Sequence, residues 1–323
     1  MKTWYFLAFA IFIASVFSSS GEAMDKKKDT AIVLAMFGTT YPEAISDLAA
    51  IKDHVKNAFP DTEVRISFTS HQIRKIWQQR KDDPEWQKRT DIPAEFMDAR
   101  GLLATVGDLQ DAGYRQIVIQ PTHLYHGEQF MDLAEYVRGL NSIRTVKKKW
   151  MPFSRPIALG RPLLGTWGDL YAYHEDMKQV AEAISPLVEK AREEKAALVL
   201  MAHGNEHMSS GIYGEFERVV SEVYPHTCIV IGSVEGYPGI DRILEAVRQR
   251  NIKKAVLAPF MIVAGDHARN DMTGPDADSW MNQLERKGVE VIPVLQGLGR
   301  LPGVGEIFVR HIRDAAQEEE IQL

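Results

Sequence analysis

The chain has 323 residues, 45% of them hydrophobic, and a formal net charge of −6, which allows one large core or two domains of common size. The acidic balance suggests neither a nucleic-acid nor an anionic-membrane partner. Cys228 is the only cysteine, so no intramolecular disulfide forms and the chain neither requires an oxidising compartment nor is excluded from one.

The first element is a targeting segment. Lys2 is followed by an apolar run from Trp4 to Phe17 and then by the small residues Ser18-Ser19-Ser20-Gly21-Glu22-Ala23. The run is short for a bilayer span, so it predicts a cleaved signal peptide over residues 1–23 rather than a retained anchor. The expectation is a periplasmic or otherwise extracytoplasmic protein with no stable membrane anchor. No cysteine lies near the cleavage region, which argues against a lipid anchor.

After the charged spacer, Ala31 to Gly38 reads as the first strand, with Thr39, Thr40 and Pro42 as a helix-start signal. Val64 to Phe68 is a second strand, followed by a basic, tryptophan-containing stretch from Arg74 to Arg89. Pro93 to Ala112 reads as one helix. Gln116 to Gln120 is a strand that ends in Pro121-Thr122-His123-Leu124-Tyr125-His126-Gly127. A helix from Glu128 to Leu140 and a basic loop with Lys147-Lys148-Lys149 lead to a short strand at Pro156 to Leu159. In the second half, Met177, Val180, Ala181, Ile184, Leu187, Val188 and Ala191 share one helical face. Strands at 197–202, 228–232, 254–260 and 290–295 then alternate with helices near 208–223, 239–250, 275–287 and 303–316. This alternation implies an α/β fold with parallel sheets covered on both faces.

The two halves resemble each other. Val33 to Gly38 aligns with Val199 to Gly204, and Pro121 to Gly127 aligns without gaps with Pro259 to Gly265, as a duplication would leave them. The expected organisation is an N-terminal lobe over 24–165, a C-terminal lobe over 166–323 and a cleft between them. On this register Phe37 stands in the place of His203, and Gln129 in that of His267.

Three apolar runs of the second half end in residues with metal-binding chemistry: Ala197 to Ala202 in His203, Cys228 to Val234 in Glu235, and Ala255 to Phe260 in the loop Val263-Ala264-Gly265-Asp266-His267-Ala268-Arg269-Asn270-Asp271-Met272. Ligands bind at the carboxyl ends of strands in open α/β sheets. Two neutral imidazoles and a carboxylate, with no thiolate offered, suit a divalent first-row metal with an open position. His207 lies four residues beyond His203 and shares its face only if that loop is helical. His123 sits at another strand end. Each is either an additional ligand or a structural histidine. His126 offers an exposed axial position for a haem, an expectation that rests on the export signal.

These segments resemble the class II chelatases, and within them the anaerobic-type sirohydrochlorin cobaltochelatases. The resemblance runs from Phe37-Gly38-Thr39 through Phe68-Thr69-Ser70, Ala202-His203-Gly204 and Val234-Glu235-Gly236-Tyr237-Pro238 to the long segment around His267 and Asp278-Ser279-Trp280. It implies two similar doubly wound lobes around a tetrapyrrole cleft, and insertion of a divalent ion, Co²⁺ or alternatively Fe²⁺, without ATP. It further implies that His203 and His267 bind the metal and accept protons, with Glu235 as the acidic residue of the same cleft. A sirohydrochlorin-type substrate bears many carboxylates, so an acidic protein needs locally basic cleft walls, for which Arg74, Lys75 and Arg269 are the candidates. A solvated helix face is the alternative for Arg74 and Lys75. An exported chain is unusual for such an enzyme, and the competing function is an exported carrier of metal, haem or another tetrapyrrole. Oligomeric state stays open at this point.

Overall fold

The computed structural model describes residues 29–166, 170–205 and 211–323; the expected signal segment and His207 lie outside the described residues. The first half runs β1 (Thr30–Met36), α1 (Ile45–Ala58), β2 (Glu63–Phe68), α2 (His71–Lys81), α3 (Pro84–Gln87), α4 (Ala94–Met97), α5 (Leu102–Asp111), β3 (Gln116–Pro121), α6 (Glu128–Asn141) and β4 (Ala158–Leu159). The second half runs α7 (Tyr173–Ala183), α8 (Ser185–Glu193), β5 (Ala197–Gly204), α9 (Gly211–Val223), β6 (Ile229–Glu235), α10 (Ile240–Arg250), β7 (Lys254–Phe260), α11 (Trp280–Glu285), β8 (Glu290–Pro293) and α12 (Pro302–Glu318).

Each half builds a four-stranded parallel sheet, ordered β2-β1-β3-β4 and β6-β5-β7-β8. The repeat seen in the sequence is therefore a repeat of topology. It is also one of register, because Ala35 pairs with Pro121 in the first sheet and its counterpart Met201 pairs with Pro259 in the second.

Side chains on a strand alternate between faces, and the cores follow that period. Ile32, Leu34 and Met36 pack with Leu198, Leu200 and Ala202 and with α1, α7, α9 and α12 into one large central cluster. The intervening Ala31, Val33 and Ala35 face α5 and α6, while Val199 and Met201 face α10 and α11. β1 is buried throughout and β5 as far as Ala202, which explains why their sequences read as unbroken apolar runs. The last helix ignores the division into halves: α12 packs on α1 and α7 and on β3 and β4 of the first lobe. No helix among the described residues is long and apolar enough to cross a membrane.

Three expected helices are corrected. The segment 93–112 is broken because Arg100 bridges Ser67 and its carbonyl accepts the Phe68 N–H at 2.9 Å, which makes it an extra rung beside β2. The amphipathic run 177–191 is two helices, since Pro186 brings no N–H and crowds the preceding turn, so the chain restarts at Ser185. The helix near 275–287 is confined to α11, where the Ser279 hydroxyl accepts from Asn282 N–H and sets the start.

Candidate metal centre

β5, β6 and the loop after β7 leave the second sheet at one edge. Glycines shape the first two exits. Gly204 has φ +86° and Gly236 φ +73°, a region that side chains with a Cβ disfavour. An added Cβ would meet the Glu235 carbonyl oxygen at 1.8 Å in the first case and that of Asn205 at 2.1 Å in the second. With both glycines in place the two exits close on each other, and Asn205 N–H donates to the Glu235 carbonyl at 3.1 Å. β6 is an edge strand. Glu217 on α9 accepts the Ile231 N–H at 2.8 Å and pairs with Arg242, which in turn donates to the Ile231 carbonyl at 3.1 Å. A half-buried ion pair thus occupies backbone groups that would otherwise be an open sheet edge and holds the strand that delivers Glu235.

The third exit is built differently from the loop expected there. Residues 266–267 begin a helical segment that passes into a π turn over Ala268–Met272, so residues four apart meet. His267 Nδ1 lies 2.6 Å from Asp271 Oδ2. Because the carboxylate accepts, Nδ1 carries the proton and Nε2 presents its lone pair outward, the orienting pattern common for metal-binding imidazoles. His203 is set in the same sense, with Nδ1 3.0 Å from the Gly204 carbonyl oxygen and 3.7 Å from Glu235 Oε2. The imidazole rings of His203 and His267 stand edge to face with centroids 4.7 Å apart. One ligand atom from each of His203, Glu235 and His267 falls within 4.8 Å of the others. Two nitrogens each about 2 Å from a shared ion are at most about 4 Å apart, so small side-chain rotations suffice for all three to close on one ion. The side chains are 47%, 35% and 27% exposed for His203, Glu235 and His267, which leaves the cluster open to an incoming ion.

The first lobe braces this centre through residues the sequence did not single out. Asp47 of α1 is buried, and its Oδ2 accepts the N–H groups of Ala264 at 2.9 Å and Gly297 at 3.1 Å. Burial raises its pKa, partly offset by those two donors. It fixes the loop three residues before His267. Tyr41 donates its hydroxyl to Asp266 Oδ1 at 2.6 Å, which raises the phenol pKa. The Tyr41 loop is itself clamped: Trp77 Nε1 donates to the Thr39 carbonyl at 2.7 Å, and Arg80 donates to that of Thr40 while lying between the rings of Trp77 and Trp86. Tyr125 sits close enough for the Glu235 charge to add to the burial that raises its pKa. Asp271 had a legible signal, its spacing of four from His267; Asp47 and Tyr41 had none, being 217 and 225 residues from their partners.

The remaining candidates lie as follows. Arg74 turns its guanidinium onto the Phe68 and Thr69 carbonyls and so braces the end of β2. Lys75 is exposed. Arg269 is half-buried, with its guanidinium 5.6 Å over the Tyr41 ring. His123 is buried, burial pushes its pKa down to about 4, and neither ring nitrogen has a partner among the described residues. His126 is exposed and packs edge-on against Phe130. By sheet register the first lobe holds Phe37 opposite His203 and Ser70 opposite Glu235. The ligand set therefore belongs to one lobe only.

The chain is 27% identical over 287 residues to the sirohydrochlorin cobaltochelatase of Salmonella typhimurium, covering 88% of this chain and 96% of that protein. It is 28% identical over 284 residues to sirohydrochlorin cobaltochelatase CbiKC of Nitratidesulfovibrio vulgaris, covering 88% and 89%. The crystal structure of the sirohydrochlorin chelatase SirB from Bacillus subtilis subspecies spizizenii in complex with cobalt shares the fold, with a TM-score of 0.55 at 15% identity over 90% of this chain and 97% of that one. The family model described as cobalt chelatase (CbiK) matches residues 30–317. A match over nearly all of both lobes, with the strand ends that carry His203, Glu235 and His267 included, places the chain in the CbiK cobalt chelatase family.

Proposed function

We propose that this protein inserts Co²⁺ into sirohydrochlorin, with His203, His267 and Glu235 holding the ion. The convergence of those three side chains at one sheet edge carries the reading, and the family supports the substrate class. Insertion must strip water from the ion, expose pyrrole nitrogen lone pairs and remove two N–H protons. Neutral imidazole, with a pKa of roughly 6.5, both binds a borderline divalent ion and accepts a proton near neutrality. Glu235 beside His203 takes up or relays the second proton. None of these steps requires a nucleotide. The macrocycle's carboxylates are met by Lys75 and Arg269, while Arg74 serves the scaffold. Fe²⁺ is the second candidate ion, because imidazole and carboxylate ligands alone do not set the order among first-row metals.

The test is insertion by purified protein lacking residues 1–23, supplied with sirohydrochlorin and either Co²⁺ or Fe²⁺. Catalytic loss of the free-macrocycle absorbance is expected. Glu235→Gln should lower turnover more than metal affinity. Stoichiometric binding without turnover would instead favour an exported carrier, the reading that the signal-like segment keeps alive. Export itself is checked by N-terminal sequencing of protein from its native host: a start near Met24 is expected, and intact Met1 in a cytoplasmic fraction would refute it.

A further inference from the structure

The chain is acidic as a whole, yet one loop of the first lobe is not. The loop joining α6 to β4 reads Ile143-Arg144-Thr145-Val146-Lys147-Lys148-Lys149-Trp150 and contains no carboxylate. Arg144 donates only to the carbonyls of Asn141 and Ile143, at 2.8 Å each. The neighbouring carboxylates Glu135 and Glu320 are taken by Arg138 and Arg155. Among the described residues no acid pairs with Arg144, Lys147, Lys148 or Lys149. Apolar groups stand among these charges. Val146 is 97% exposed, Trp150 57% and Ile143 39%, and the Lys147 ammonium lies 4.6 Å from the Trp150 ring centroid.

The position of this loop is fixed by the sheet. Arg115, at the start of β3, donates its backbone N–H to the Asp29 carbonyl and a guanidinium N–H to that of Met151, and its own carbonyl accepts from Ser154 N–H. The loop therefore sits where the strands begin, whereas the metal centre sits where parallel strands end. Tyr41, just beyond β1, touches Asp266 of the metal-centre loop, so a strand of the length of β1, roughly 20 Å, lies between the two ends.

We propose that this loop of the first lobe is a docking site for an anionic phospholipid surface, which it meets with Lys147 to Lys149 at headgroup depth and Val146 and Trp150 in the interface. Clustered lysines are drawn to anionic leaflets, and tryptophan favours the boundary between headgroups and acyl chains. The shape of the loop separates a bilayer from an acidic protein. A valine almost wholly in solvent is the tip of a projection, which a deformable lipid surface accommodates and a protein partner must match with a pocket. Docked this way, the molecule points its cleft away from the membrane. The interaction is peripheral, so it holds whether or not the leader is removed, and it does not depend on the reaction carried out in the cleft.

The experiment is co-sedimentation of a chain beginning at Met24, which keeps every described residue, with vesicles of phosphatidylcholine alone or mixed with phosphatidylglycerol. Binding is expected only with phosphatidylglycerol and should disappear at high salt. Replacing Lys147, Lys148 and Lys149 together by Ser should weaken partitioning at low salt on the order of 100-fold while Co²⁺ insertion is unchanged. Brominated lipid should quench part of the tryptophan fluorescence, and Trp150→Ala should remove that part. Equal binding to neutral vesicles, no vesicle binding at all, or binding undiminished in the triple variant would overturn the proposal. So would capture by poly-glutamate in place of vesicles, which would identify an acidic protein as the partner.

Discussion

His203→Ala and His267→Ala are each expected to abolish measurable metal insertion while leaving the unfolding midpoint close to that of the parent. Each removes one of three ligand groups gathered within 4.8 Å, and the two that remain cannot hold a partly dehydrated ion against solvent. The scale follows from a comparison. Residues that only orient a metal ligand typically cost 10–100-fold when changed, so Asp271→Asn, which loosens His267, should cost roughly 10-fold. Loss of the imidazole itself should exceed about 100-fold. Stability is spared because both rings are substantially solvent-exposed and neither belongs to the core clusters; substitutions away from cores and special backbone sites usually stay within about 0.5 kcal/mol. Steady-state insertion assays and urea titrations on the same preparations check both halves. A His267→Ala enzyme with near-parental turnover would remove this cluster from the chemistry.

How far these residues were legible in the sequence depended on whether their geometry is local. The strands of the second half announced themselves as apolar runs, and residues following such runs in a parallel sheet must emerge on one edge, so the grouping of His203, Glu235 and His267 followed from topology alone. The register of the repeat was equally readable, since Pro121 and Pro259 are paired with equivalent residues of β1 and β5. Helix boundaries inside 93–112 and 177–191 were not, because an isolated bridge at Arg100 and a restart at Pro186 interrupt patterns that remain amphipathic across the break. The π turn at Ala268 to Met272 was hidden for a similar reason: its polar residues carry no helical stripe, and its shape is imposed by the anchors at Asp47 and Tyr41. Those anchors come from the other lobe, and no pattern within one lobe encodes a contact with the other. The lysines of the 147–149 loop were legible, but the exposure of Val146 and Trp150 among them was not, because net charge and composition say nothing of which apolar side chains stay in solvent.

The second large effect is expected where the lobes are joined. The chain crosses from the first lobe to the second just after β4, and there Arg161 is buried with its Nε 2.6 Å from Asp176 Oδ2, its Nη2 3.0 Å from Asp176 Oδ1 and its Nη1 2.7 Å from Asp314 Oδ2. His311 of α12 is also fully buried, with Nδ1 3.0 Å from the Arg161 carbonyl oxygen and Nε2 3.1 Å from Asp176 Oδ1. Both ring nitrogens face acceptors, so the network is best satisfied with both protonated, although burial opposes that charge and lowers the His311 pKa. Burial alone would raise the Asp176 pKa, but the hydrogen bonds from His311 and Arg161 hold it down at about 2. Asp176→Ala leaves the buried Arg161 guanidinium with Asp314 alone and strips His311 Nε2 of its carboxylate partner, and breaking a buried pair in this way costs about 3–5 kcal/mol. The sign of the pH dependence follows from the depressed pKa. The Asp176 contribution is fully present above its unfolded value near 4 and is lost as pH falls through about 2, a change of about 2 kcal/mol. Asp176→Asn should lack that acid step while retaining the shape of the site. Urea unfolding of parent, Asp176→Ala and Asp176→Asn proteins across that range measures all three quantities. An alanine variant as stable as the parent near neutrality would show that the crossover is held by the apolar packing of α7 and α12 alone.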